Sequence, residues 1–232
     1  MLSEKYKDLP SKVNVRGRWV GKGEPVFIIA EIGNNHNGEI DIAKKLVNWA
    51  AQLGADAVKF QKRTVEDVFT KEMLSQPQTH SQSLGRTYGE YRQKQELTDE
   101  QLWELKMLAH NLGLSFFVTP FDMKSASTLA AIGMDAWKIS SFDVNYSQLI
   151  EFVAKQGEPI FISMGMATQE ERDEALHTIL KYNNQVIINH CVSIYPTPDD
   201  DLNLGAINTM MEHYDPLPIG YSGHEIGYSP TI

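Results

Sequence analysis

The chain has 232 residues, 42% of them hydrophobic, and 21 Lys and Arg against 30 Asp and Glu give a formal net charge of −9. That length buries a sizeable core as one domain, a size at which α/β barrels remain undivided. With no basic run or arginine stripe, the acidic balance argues against a nucleic-acid partner, and no apolar run approaches the ~18 residues of a membrane-spanning helix.

The opening MLSEKYKDLPSK has neither the apolar centre nor the small-residue cleavage pattern of a signal peptide, so a cytosolic protein is expected. Residues 1–25 are polar, with weak alternation through Val13, Val15, Trp19 and Val20 around Gly17; this predicts a hairpin that caps one end of a core, or an ordered tail. Phe27 to Gly38, FIIAEIGNNHNG, is an apolar strand that ends on a carboxylate, Glu31, and breaks at once into glycines and asparagines. Glu39 to Leu53 places Ile42, Leu46, Val47, Trp49 and Ala50 at helical spacing and stops at Gly54. DAVKFQ is a second strand, and a long polar connection follows from Lys62 to Glu96. Thr98 and Gln101 form a capping pattern for a helix that runs to Gly113. LSFFVTP, AWKISS, PIFISMG, QVIINHC and LPIGYSGH are further strands, with helices over Ser125 to Ile132, Tyr146 to Gln156, Gln169 to Lys181 and Leu204 to His213 between them. Cys191 stands alone, which rules out an intrachain disulfide and a cysteine zinc site and leaves it as a small apolar strand residue.

Strand and helix alternating this often imply parallel pairing with right-handed crossovers. Seven apolar strands, each followed by polar or glycine-bearing residues, favour a TIM-type (β/α)8 barrel over an open doubly wound sheet. Neither a GxGxxG turn nor a GxxxxGKS/T loop occurs, which weakens the open-sheet alternative further.

The barrel also accounts for the polar residues. Glu31, Lys59 with Gln61, Thr119, Lys138 with Ser140 and Ser141, Ser163, His190 and His224 each close a strand, and in a barrel all those ends meet at one mouth. Lys59 and Gln61 share a strand face, and an ammonium between Val58 and Phe60 is costly unless an anion meets it. Two lysines with Thr119, Ser141 and Ser163 suit a phosphate. Other readings remain open: interior ion pairs of the lysines with Glu31 or Asp143, a Schiff-base role for Lys138, and core roles for His190 and His224, each neutral and held by one hydrogen bond. The Asn-rich loop can be a simple turn, and His36, His80, His110, His177 and His213 are given no role.

IIAEIGNNHNG, VKFQ, FFVTPFD, WKISSFD, ISMGMAT, NHCVSIYPTP and GYSGHEIGYSP together resemble the sialic acid (nonulosonic acid) synthase family over about residues 13–232. The resemblance implies a barrel that condenses phosphoenolpyruvate with an N-acetylated hexosamine such as N-acetylmannosamine and releases phosphate. It implies a divalent metal, Mn2+ or Mg2+, and the family's usual homodimer. On the same ground, Lys59, Thr119, Lys138, Ser141 and Ser163 hold phosphoenolpyruvate, Glu31, Gln61 and Tyr195 face the sugar, and His224 is a metal ligand. Of these, Glu31, Lys59 and Lys138 are expected to be catalytic.

Asp143 stands where many relatives carry glutamate, and Ser193 where some carry asparagine; both are expected at the substrate, Asp143 with a shorter reach. The resemblance further implies a seventh helix, an eighth strand and an antifreeze-like C-terminal domain beyond Ile232. The expectation is therefore a barrel over residues 26–232 truncated after its seventh strand, with one metal ligand and little activity of its own. The alternatives are a non-catalytic phosphoenolpyruvate-binding remnant and a synthase for a sugar phosphate, for which Arg63, Arg86 and Arg92 are the candidate anion cluster.

Overall fold

The computed structural model describes residues 6–79 and 84–228; His80, Ser229 and Pro230 fall outside them. Residues 27–135 form one compact unit, and the N-terminal segment joins residues from Ala136 onward in a second. Among the described residues no helix is long and apolar enough to cross a membrane.

The expected hairpin is present: β1 (Lys12–Val15) pairs antiparallel with β2 (Arg18–Gly21). Asn14 Oδ1 accepts the Gly17 N–H at 2.8 Å and closes the turn. Val13, Val15 and Val20 point inward while Trp19 faces solvent, so alternation selects three of the four residues for the core.

In the unit of residues 27–135, β3 (Ile29–Gly33), β4 (Ala57–Lys62) and β5 (Ser115–Pro120) form a parallel sheet in chain order. α1 (Ile40–Gln52) connects β3 to β4. It buries Ala43, Val47 and Ala50, whereas Trp49, expected in the core, is 57% exposed. The small side chains are the ones that let a helix approach a sheet closely, so the bulky indole turns outward.

The long polar connection from Lys62 to Glu96 contains α2 (Val65–Val68), α3 (Lys71–Leu74) and α4 (Tyr88–Gln95). Thr70 and Thr87 cap the second and third by accepting the Met73 and Glu90 N–H groups, each at 3.2 Å. Gly38, at φ 82°, passes so close to α4 that a Cβ there would sit 1.8 Å from the Lys94 carbonyl oxygen. α5 (Asp99–Asn111) begins with the predicted capping box of Thr98 and Gln101, and α6 (Met123–Ile132) follows β5. Phe60 and Phe116, both fully buried with ring centroids 5.5 Å apart, anchor this core; each such side chain contributes roughly 1.5–3 kcal/mol.

In the second unit, β6 (Trp137–Ile139), β7 (Ile160–Ser163), β8 (Val186–His190) and β9 (Ile219–Tyr221) are again parallel and in chain order. α7 (Ser147–Ala154), α8 (Gln169–Leu180) and α9 (Ala206–His213) are the crossovers. α8 starts at a second capping box, Thr168 with Glu171. The parallel α/β alternation expected from the sequence is thus present. Neither sheet reverses its strand order, so neither contains the switch point at which a doubly wound sheet binds its ligand.

Candidate active site

Parallel register sets Glu31 opposite Lys59 and Gln61 opposite Thr119. Paired residues share a sheet face, and so do residues two apart on one strand. Lys59, only 9% exposed, is held by its neighbours: Nζ donates to Thr119 Oγ1 at 3.0 Å and forms an ion pair with Glu31. Gln61 Nε2 reaches Glu31 Oε1 at 3.5 Å, and the Glu31 side chain remains 41% exposed. The row continues one step beyond β4. The Arg63 guanidinium lies 4.1 Å over the Phe121 ring and bonds Gln61 Oε1 at 2.5 Å and Glu96 Oε1 at 3.4 Å. Burial pushes Glu96 above the usual carboxylate range and Arg63 below its ordinary value, and the attraction between the two opposes both shifts. Glu96, Arg63, Gln61, Glu31, Lys59 and Thr119 therefore form one continuous polar chain. Arg92, the third arginine considered for a sugar phosphate, packs over the rings of Phe69, Tyr88 and Tyr91 instead.

The second unit has its own group. Lys138 is 6% exposed and its Nζ donates to the Ile139 carbonyl at 2.7 Å. It pairs across the sheet with Phe161, and Ser163 lies two residues along the same strand, so Lys138 and Ser163 share a face. The Ser163 hydroxyl is buried with no hydrogen-bond partner. Ser141, in the turn after β6, accepts the Gly165 N–H at 3.1 Å. A Cβ on Gly165 would stand 2.7 Å from both the Cys191 carbonyl oxygen and Ser193 Oγ and 3.0 Å from Ser141 Oγ. Only glycine lets these three strand ends close on one another. Asp143 accepts the Ser140 hydroxyl at 2.6 Å, so this carboxylate orders its own turn.

The register also decides between the two readings of His190 and supplies a missed residue. Asn189 pairs with Ser163 and shares its face, so its neighbour His190 turns to the other side. His190 is buried there, its Nε2 donates to the Leu202 carbonyl at 2.9 Å, and its ring stacks on Tyr221. It is a satisfied core histidine. Alternation along QVIINHC contains this parity, but it can be used only once one residue of the strand has been assigned to a face.

Tyr195 and His224 meet edge to face with ring centroids 4.4 Å apart, held by the Thr197 N–H donating to the His224 carbonyl at 3.0 Å. Desolvation raises the Tyr195 phenol, and it also raises that of Tyr221, whose hydroxyl donates to Glu225 at 2.7 Å. Among the described residues no three His, Cys, Asp or Glu side chains gather as a metal site, and the carboxylate next to His224 is occupied by Tyr221. His224 alone does not fit a divalent ion.

The family model described as NeuB family matches residues 46–232. An uncharacterized protein of Methanocaldococcus jannaschii is 42% identical over 93% of the chain and 60% of its own length. The mouse N-acetylneuraminate-9-phosphate synthase is 37% identical, again over 93% of the chain and 60% of its own length. The crystal structure of an N-acetylneuraminic acid synthetase from Leptospira borgpetersenii in complex with citrate superposes with a TM-score of 0.85 at 31% identity, covering 96% of the chain and 73% of that protein. The chain thus spans about 60% of the length of the curated relatives it matches. On the strength of the family match and of these relatives, the chain belongs to the NeuB family of sialic and nonulosonic acid synthases.

Proposed function

We propose that this chain is the phosphoenolpyruvate-binding part of a cytosolic nonulosonic acid synthase with a (β/α)8 barrel. In this reading Lys59, Thr119, Lys138, Ser141 and Ser163 hold the phosphate and carboxylate of phosphoenolpyruvate. The observation that supports it most is the buried Lys59, fixed between Thr119 and a partly exposed Glu31 at the carboxyl ends of parallel strands. The partnerless Ser163 hydroxyl on the face of Lys138 supports it from the other unit.

The enol carbon of phosphoenolpyruvate forms a bond to the aldehyde carbon of an open-chain N-acetylated hexosamine. Water then adds to the former enol-ether carbon, and the C–O bond breaks to release inorganic phosphate. Both lysines hold charge that is present throughout, so their first contribution is to bind and orient the anion. Glu31 and Gln61 accept and donate hydrogen bonds to sugar hydroxyls, Tyr195 and Ser193 border the sugar, and Asp143 orders the turn that carries Ser141. The family's divalent ion, Mn2+ or Mg2+, supplies Lewis acidity when bound. His224 is the one ligand these residues offer, and no step here is routed through the ion.

Phosphate release from phosphoenolpyruvate is the test, measured on the protein carrying these residues with N-acetylmannosamine, its 6-phosphate and a diacetylated hexosamine as acceptors. Acceptor-dependent release supports the reading, and its absence with every acceptor overturns it. The name of the mouse relative favours a phosphorylated acceptor as the second reading. Arg63 and Arg92 are engaged within their own unit, so a preference for the 6-phosphate would require cations other than these two.

A further inference from the structure

Asn37-Gly38 is the one Asn-Gly step in the sequence, and the residue before it is a histidine. His36 is 1% exposed and its ring packs on Phe60 with centroids 5.9 Å apart, while its backbone carbonyl accepts the Glu39 N–H at 2.8 Å at the start of α1. The imidazole is thus fixed, and its Nδ1 accepts the Gly38 N–H at 3.0 Å. Asn37 differs. It is exposed at φ 51°, and among the described residues only its backbone is tied down, by the Asn37 N–H donating to the Asn34 carbonyl at 3.0 Å.

A glycine after an asparagine leaves its peptide nitrogen open to the asparagine side chain, since no Cβ screens it. What slows ring closure is the proton on that nitrogen, and here a histidine nitrogen stands within general-base reach of it. Burial holds the ring below its ordinary 6.5, so at neutral pH it is uncharged and able to take the proton. The unheld Asn37 amide can turn about χ1 onto the nitrogen. The fold itself imposes the glycine, because a Cβ there would stand 1.8 Å from the Lys94 carbonyl oxygen.

We propose that Asn37 and Gly38 are a self-modifying site at which His36 acts as the base. The Gly38 nitrogen bonds to Asn37 Cγ and gives its proton to His36 Nδ1; the Cγ–Nδ2 bond then breaks, and the same proton leaves with that nitrogen as ammonia. Water opens the resulting succinimide, at Cγ to give aspartate or at the main-chain carbonyl to give isoaspartate. Either product adds a carboxylate to the loop, and the second also lengthens the backbone beside the crossing with α4. The proposal stands apart from the condensation chemistry, which uses none of these atoms.

Peptide mass spectrometry with isoaspartate detection tests it on the protein carrying these residues, aged at neutral pH. The expected result is that Asn37 converts faster than every other asparagine and that His36→Gln slows this conversion at least about tenfold, a modest share of what a positioned base supplies. The native chain should also convert faster than the same chain in denaturant, where the imidazole leaves the nitrogen. Loosening the loop frees the backbone for closure and raises the rate, so a slower variant reports the lost base. An undiminished rate in His36→Gln overturns the proposal, as does an Asn37 left intact in the wild type. If His36→Gln does not fold, the denaturant comparison decides: equal or faster conversion in the unfolded chain is the overturning result.

Discussion

The two units present opposite states of readiness. Around β4 the lysine, arginine and amide of the polar row already have partners: Lys59 is bound by Thr119 and Glu31, and Arg63 by Gln61 and Glu96. Around β7 a buried hydroxyl, that of Ser163, has none, and three strand ends are held together by the missing side chain of Gly165. A cation must be neutralised while the site is empty, because an unpaired buried ammonium costs far more than an unpaired hydroxyl. Serine can wait for its ligand. In the proposed reading the first unit exchanges partners when an anion binds, whereas the second adds one.

The largest expected effect tests whether both cations serve one ligand. Lys59→Met and Lys138→Met are each expected to lower kcat/KM by about a thousandfold, the scale of losing one charge-stabilising group. The double variant should be little worse than either alone, because groups acting as a unit are not additive; losses that multiply in steady-state assays would break the comparison. Ser163→Ala comes next. Its loss of a hydrogen bond to a charged group, about 1.5–3 kcal/mol, should raise the KM for phosphoenolpyruvate roughly ten- to hundredfold. The Tm should not fall, since the hydroxyl has no partner in the fold to lose. Gly165→Ala should lower stability by about 1–3 kcal/mol in denaturant unfolding, because the added Cβ meets backbone and leaves no room to yield.

The smallest effect concerns pH. His36 is 1% exposed, and burial holds its imidazole below the ordinary 6.5. A histidine depressed in the folded state contributes stability that is complete above pH 6.5 and lost as pH falls through its lowered value. His36→Gln should therefore flatten the acid limb of a Tm-versus-pH curve, and an unchanged slope would show that the ring is not the group being protonated.

Much of this was legible in the residues. The capping boxes at Thr98 and Thr168 announce their helices, and the pattern of apolar strands ending on polar residues gives the parallel α/β class and most of the candidate site. Other features depend on information that no local pattern holds. The short helices between Lys62 and Glu96 are too brief for a periodic signal and are fixed by threonine caps and by Arg92 stacking on Tyr88. Trp49 sits at core spacing yet faces water, because periodicity names a stripe without saying which of two adjacent stripes meets the sheet. His190 and Asn189 exchange roles on a parity that cross-strand register decides. Gly165 is unremarkable in sequence, since what makes it irreplaceable arrives from two other strands.

Gly38 has a consequence for how the connection from Lys62 to Glu96 can diverge. The excursion from Lys62 to Glu96 is the longest departure from the strand-helix rhythm, and its last helix passes within touching distance of the loop that follows Glu31. Insertions upstream of α4 can lengthen or reshape that excursion at small entropic cost. The crossing itself tolerates no extra atom, so sequence change can accumulate along the excursion while its final turn stays moored beside the loop that follows Glu31.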